Sequence, residues 1–400
     1  MLRRILLVIA VAIASAARAA DPADVAAARA RIEALGAGAT CAVDGAGRVT
    51  EIVIPDGSGL TADDVALFAR LGELTTLQIR NFRDFDDAMV GQLAGLTNLT
   101  SLAITNSGLG DAGVETIAAS FPKLVDLDLS SNTNLGSAAM KAIATLTGLE
   151  RLTLVQTRFN DLTTRRLGKL TALEAVDLRG NMEAGDMTLG VLGKLPALRA
   201  VKHRSSVVTD DGIAALAANP ALESLLAQDF AITNASGQHL ATLRGMTSLE
   251  IFRCQGFGTE GVLALAPLKK LSRLTLRDLP EVRDGALAVV AELPALRRLY
   301  LHELASVGDV GLAHLAKAHD LEVLDIWSLP QVTDATAAVI AGLPNLKELS
   351  IRETGMSEAS LDALAKIPKL RSLTFKNGAV SAERAAALAA KKLKKLDLGR

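Results

Sequence analysis

Along most of the chain, apolar and polar residues alternate in short blocks that return at a fixed distance. LERLTL at 149–154 recurs as LSRLTL at 271–276, LRRLYL at 296–301, LEVLDI at 321–326, LKELSI at 346–351 and LRSLTF at 370–375. Less regular copies begin at Leu74, Leu99, Leu124, Leu173, Leu198, Leu222, Leu249 and Leu393, with VTEIVI from Val49 as the first. Counted from the first residue of a block, positions four and six are apolar and positions three, five and seven mostly polar. This is the alternation of a strand buried on one face. The fifteen blocks lie about 25 residues apart. One such unit cannot enclose its own apolar face, so neighbours must stack and share a core.

A second pattern follows each strand. Gly110-Asp111-Ala112-Gly113-Val114, Val208-Thr209-Asp210-Asp211-Gly212, Val332-Thr333-Asp334-Ala335 and Met356-Ser357-Glu358-Ala359 set Thr, Ser or Gly before an acid. That is helix N-cap chemistry, with the acid expected in the first turn against the positive end of the helix dipole. Apolar residues then recur at helical spacing, as at Val114, Ile117 and Ala118 or Leu312, Leu315 and Ala316. Leu195-Pro196, Leu293-Pro294 and Leu343-Pro344 close their units, because Pro cannot continue a helix. Each repeat is predicted to run strand, turn, short helix and return.

The L-x-x-L-x-L block, with Asn132 in LVDLDLSSN and Asn181 in LEAVDLRGN, resembles the leucine-rich repeat family. The variant clearest over 271–345, with Leu279, Leu304 and Leu329 where a Cys is usual, is similar to its cysteine-containing subclass. A helix from Pro22 to Leu35 followed by VTEIVI is similar to the N-terminal cap of exported bacterial repeat proteins. The resemblance covers residues 25–400. It implies an α/β, right-handed leucine-rich-repeat solenoid, curved, with a parallel sheet on the concave side and short helices on the convex side. It says almost nothing about activity. The expected organisation is a signal peptide over 1–20, an N-terminal helix and cap over 21–48, and a solenoid of about fifteen strand units over 49–400.

The leader reads MLRRILLVIAVAIASAARAA. Arg3 and Arg4, an apolar stretch from Ile5 to Ile13 and the small-x-small Ala17-Arg18-Ala19 fit a secretory signal cleaved near Ala19 or Ala20. The apolar run is shorter than the roughly 20 residues of a spanning helix. A bacterial periplasmic or extracellular protein, not membrane-spanning once processed, is expected. Cys41 and Cys254 are the only cysteines. Eight strand spacings put roughly 40 Å between them, too far for a disulfide, and Cys254, at the sixth position of its block, is expected to fill core. Lys391, Lys392, Lys394 and Lys395 surround the last block and are expected to discourage edge pairing of its strand.

Composition narrows function by exclusion. The 43 basic and 44 acidic residues leave a formal net charge of −1, unlike a nucleic-acid binder that relies on phosphate neutralisation. No G-x-S-x-G, Walker, H-E-x-x-H or C-x-x-C motif occurs, and neither cofactor nor metal is implied. Asp126 and Asp128 read as a solvated pair rather than a cation site. Arg199, Lys202 and Arg204 around His203 read as a solvated basic cluster, and His203 itself points inward. An enzyme built on His302, Glu303 and Tyr300 would lack an activated nucleophile and a base-orienting group.

The outward columns carry the remaining signal. Position seven reads Arg80, Thr105, Ser130, Val155, Arg179, Arg204, Gln228, Gln255, Arg277, His302, Trp327, Arg352 and Lys376, without an acid. Position five adds Leu226, Arg253, Tyr300 and Asp325, and position three Ile251, Arg273, Arg298 and Val323. Only 3% of residues are aromatic, yet the sole Trp and sole Tyr share this face on neighbouring strands. Aromatics ringed by Arg have the composition of binding hot spots; the plainer reading is that they stack on one another for stability. The expected site is Tyr300, Trp327, His302, Arg253, Arg273, Arg277, Arg298, Val323, Ile251 and Arg352. The expected partner is a protein with an acidic or aromatic segment, and the alternative is a cell-wall or other glycan.

Overall fold

The computed structural model describes residues 20–36, 38–391 and 393–399. The expected signal sequence lies, but for Ala20, outside the described residues. The chain forms two compact units, one ending at Leu124 and the other starting at Val125.

In the first unit, helix α1 (Pro22–Leu35) starts at the N-cap Asp21, which accepts from the Ala23 N–H with Pro22 at the first helical position. Arg31 reaches from α1 to both oxygens of Asp64, at 2.7 and 3.0 Å, and Asp64 also accepts from the Thr61 N–H at 2.8 Å. The cap thus locks onto the first helix of the repeats. Strand β1 (Thr40–Val43) pairs antiparallel with β2 (Val49–Ile54), a strand the repeat pattern did not foretell. Its hairpin is tied by Asp44, which accepts from the Ala46 and Arg48 N–H groups and pairs with the Arg48 guanidinium. Strands β3 (Thr76–Arg80) and β4 (Ser101–Thr105) continue in parallel.

Among the described residues the second unit contains twelve parallel strands, consecutive ones paired in sequence order. They are β5 (Asp126–Asp128), β6 (Arg151–Thr153), β7 (Ala175–Asp177), β8 (Ala200–Arg204), β9 (Ser224–Gln228) and β10 (Ser248–Phe252). Then follow β11 (Arg273–Arg277), β12 (Arg298–His302), β13 (Val323–Trp327), β14 (Glu348–Arg352), β15 (Ser372–Lys376) and β16 (Lys395–Asp397). The pairing stays in register, so Leu274, Leu299, Leu324 and Leu349 form one column. Positions one, four, six and nine are core: Leu271, Leu274, Leu276 and Leu279 are all fully buried. Each such side chain contributes about 1.5–3 kcal/mol of burial, which ties every repeat to its neighbours.

One block is out of phase with the sequence reading. Ile251, expected outward, is 0% exposed, and β10 spans Ser248–Phe252. The block begins at Met246, so Leu249 and Ile251 are its inward fourth and sixth residues and Phe252 its outward seventh. Cys254 is therefore at position nine, where Asn132 and Asn181 stand in their blocks. It is buried, and burial pushes its thiol up to about 12. Position nine must satisfy the turn that leaves the strand. Asn181 does so completely: its amide donates to Leu154 O and Leu178 O, and its oxygen accepts from Phe159 N and Thr157 Oγ1.

Position eight is left-handed. Asp229, Arg253, Asp278, Glu303, Ser328 and Glu353 have φ between 49 and 60°. The N–H of each of the six donates to the position-seven carbonyl of the next strand, as Glu303 N to Trp327 O at 2.8 Å. The ladder bond offsets part of the cost of this backbone region for a residue with a Cβ.

The acids at the helix starts do more than meet their own helix dipole. Asp186 accepts from Thr209 N and Oγ1, Asp210 from Thr233 N and Oγ1, and Asp309 from Thr333 N and Oγ1. Each acid therefore caps the helix of the following repeat. Asp284 reaches Gly308 N and Gly311 N at 2.7 and 3.0 Å, and a Cβ at Gly311 would stand 2.7 Å from its carboxylate oxygen. That close approach explains the Gly.

Candidate functional site

The strand face of β9 to β16 carries the outward columns. Position seven runs Gln228, Phe252, Arg277, His302, Trp327, Arg352 and Lys376, paired strand by strand. Two columns away, position three runs Arg273, Arg298, Val323 and Glu348. All lie at the ends of strands fixed by the leucine columns beneath them, so a rigid framework sets their spacing.

Arg277 lies between two rings, its guanidinium carbon 4.4 Å from the Phe252 centroid and 4.9 Å from that of Trp327. Arg253 covers Phe252 at 4.5 Å, Arg352 covers Trp327 at 5.3 Å, and Arg273 covers Tyr300 at 4.7 Å. The His302 ring stands edge-to-face against both Tyr300 and Trp327, at 6.1 and 5.7 Å between centroids. The result is a row in which planar cations and aromatic rings alternate. Stacking of this kind lowers the entropy a side chain loses when a partner fixes it.

The arginines are also paired with acids. Arg204 and Arg253 share Asp229, Arg277 binds Glu303 at 2.6 Å, Arg273 faces Glu250 at 3.3 Å, and Arg352 donates to both oxygens of Asp325 at 3.1 Å. Several of these acids are at positions five and eight, so the absence of acids from position seven does not make the face a cationic wall. Burial of Asp325 disfavours its charge, but His302, whose Nε2 lies 3.5 Å away, and the Arg352 hydrogen bonds outweigh that and hold its carboxyl below the usual range. Asp229 is held low in the same way, burial being overcome by Arg253 and Arg204.

Of the ten expected residues, Tyr300, Trp327, His302, Arg273, Arg277 and Arg352 come together in this stack. Val323 is half-buried beside them and Arg298 is exposed on the same face. Arg253 joins by a different route, from the turn after β10 and not from the strand. Ile251 is core and leaves the site. Phe252 takes its place, and Asp229 and Glu303 complete the row. The equal spacing of blocks at Leu222 and Leu271 was the available signal for Phe252, since a block starting at Met246 divides that interval almost evenly. Among the described residues no group of three or more His, Cys, Asp or Glu is disposed to hold a metal, and no helix is long and apolar enough to cross a membrane.

Comparison with known proteins agrees with this architecture. The family described as a leucine-rich repeat region matches residues 110–398, and a leucine-rich repeat matches residues 95–118. A comparison with curated protein sequences returns no significant match. Among solved structures, an internalin from Listeria monocytogenes is similar over 94% of this chain and 95% of its own, with 18% identity and a TM-score of 0.57. A chain in the yeast Rad7–Elc1 complex is similar over 90% of both chains, with 16% identity and a TM-score of 0.57.

Proposed function

Because the chain belongs to the leucine-rich repeat family, we infer that it is an exported, non-enzymatic scaffold that captures a protein partner on the strand face of β9 to β15. The observation that carries this reading is the stacked row Phe252, Arg277, Trp327 and Arg352, with His302 and Tyr300 beside it. A monomer gains little stability from aromatic–arginine stacks at a surface, about 0.5–1 kcal/mol each, whereas aromatic and Arg anchors dominate binding energy at interfaces. The structurally similar chain of the yeast Rad7–Elc1 structure comes from a protein complex, which supports the same use of the fold. Pairing of the arginines with neighbouring acids favours an aromatic or apolar partner segment over an acidic one.

The test is capture from an envelope extract by the mature protein. Tyr300→Ala combined with Trp327→Ala removes the captured partner while the thermal midpoint moves by no more than about 2 °C. Equal capture by the double variant excludes this face. Export is checked separately: the intact mass of the secreted chain should begin after Ala19 or Ala20.

A further inference from the structure

We propose that the cleft beside the stacked row, across β12 to β16, binds the end of a neutral saccharide. The cleft has a volume of about 440 Å³, within the ~300–1,000 Å³ range of small-ligand sites. Three features of its lining define the ligand.

The first is charge. Asp325, Glu348 and Asp397 stand against Arg352, Lys376 and Lys395, so the lining carries no net charge. Two of the pairs are already closed, Arg352 on Asp325 at 3.1 Å and Lys376 on Asp397 at 3.0 Å. An anionic or cationic ligand would meet like charge on one side and gain no unpaired counter-charge beyond a single group. The second is hydrogen bonding. Ser350, Ser372 and Thr374 form the floor, and Glu348 and Lys395 stand at its edge. The ligand must donate to the carboxylate and accept from the ammonium, while the hydroxyls take either role. A sugar hydroxyl does both, while an apolar ligand would leave these groups unpaired at about 1–3 kcal/mol each. The third is the wall. Arg273, on β11, covers one face of the Tyr300 ring at 4.7 Å. The ring also lines the cleft, which lies on the β13 side. A flat, amphipathic ring beside a hydroxylated floor suits a pyranose, whose C–H face is apolar and whose rim is polar.

This site shares Tyr300 and Arg352 with the protein-binding row but not Trp327, Arg277 or Phe252, so the two readings can fail independently. The experiment is saturation-transfer NMR and calorimetry on the mature protein with maltohexaose, cellohexaose and the hexamer of N-acetylglucosamine. Hexagalacturonate and a chitosan hexamer serve as charged controls. At least one neutral hexamer should give transfer to one terminal residue, and neither charged control should. Ser350→Arg, which fills the floor, abolishes the signal; Glu348→Gln, an exposed change that leaves the fold intact, weakens binding about tenfold; Trp327→Ala retains it. The proposal is overturned if no neutral hexamer binds, if the charged hexamers bind as well, or if Ser350→Arg binds like the parent protein.

Discussion

Ile251 and Phe252 are chain neighbours with opposite fates, and their substitutions differ in kind. Ile251 is fully buried, so Ile251→Ala lowers stability by about 2–5 kcal/mol, read by denaturant melts, without altering any exposed group. Phe252 lies under Arg253 and Arg277, so Phe252→Ala costs under about 1 kcal/mol and weakens partner capture. The sequence LEIFRC permits either phase, because Leu249, Ile251, Phe252 and Cys254 offer apolar residues to both; only the distance to the flanking blocks decides. His203 shows what a single inward polar residue does. Its Nε2 lies 2.7 Å from Ala184 O and its Nδ1 3.1 Å from Leu178 O, a carbonyl that already accepts from Asn181. A neutral ring has one N–H, and this accounting places it on Nε2. Burial lowers the imidazole's affinity for a proton, so the unfolded chain protonates first. Stability is therefore full above the unfolded value near 6.5 and falls as pH drops below it. His203→Gln, which keeps a donor but does not titrate, should flatten the melting profile between pH 7 and 5; an unchanged slope contradicts this account of His203.

At the scale of elements, the chain's regular turns rest on acids that cap the next repeat. Their identity was legible in motifs such as Val332-Thr333-Asp334-Ala335, but their partners were not, because each partner lies more than twenty residues downstream and only stacking brings it near. Burial works against the charge of Asp309, and hydrogen bonds from Thr333 and Thr336 more than offset it, so its carboxyl titrates below the usual range. Asp210 behaves alike, burial being offset by Ser236 and Thr233. Such depressed acids contribute stability above the unfolded carboxyl value near 4, and that contribution disappears as pH falls through the depressed folded one. Asp309→Ala should cost about 1–3 kcal/mol, with amide exchange rising first around Thr333 to Thr336. Asp309→Asn should cost less, because Asn234 already fills the equivalent place, accepting from Gly258 N and Gly261 N at 2.8 and 2.9 Å. Equal losses for Ala and Asn would mean that the inter-repeat cap depends on charge alone.

For the molecule as a whole, the leucine columns and their repeat were plain in the sequence, since burial of positions four and six must recur wherever strands stack. The electrostatics of the face were not. A column of Arg without acids looks cationic until positions five and eight fold back beside it, as Asp325, Asp229 and Glu303 do. With these charges closed locally and a net charge of −1 overall, long-range steering is weak. The association rate with the captured partner should change less than about threefold between roughly 50 and 500 mM salt, and a steep salt dependence would restore the acidic-partner reading.

The most direct measurement is hydroxyl-radical footprinting of the mature protein alone and with its captured partner. Phe252, Tyr300 and Trp327 should lose labelling in the complex, while Leu162, Met187 and Val310, at the starts of their helices and 65, 51 and 71% exposed, should keep theirs. Protection of those three with undiminished labelling of Trp327 would contradict docking on the strand face.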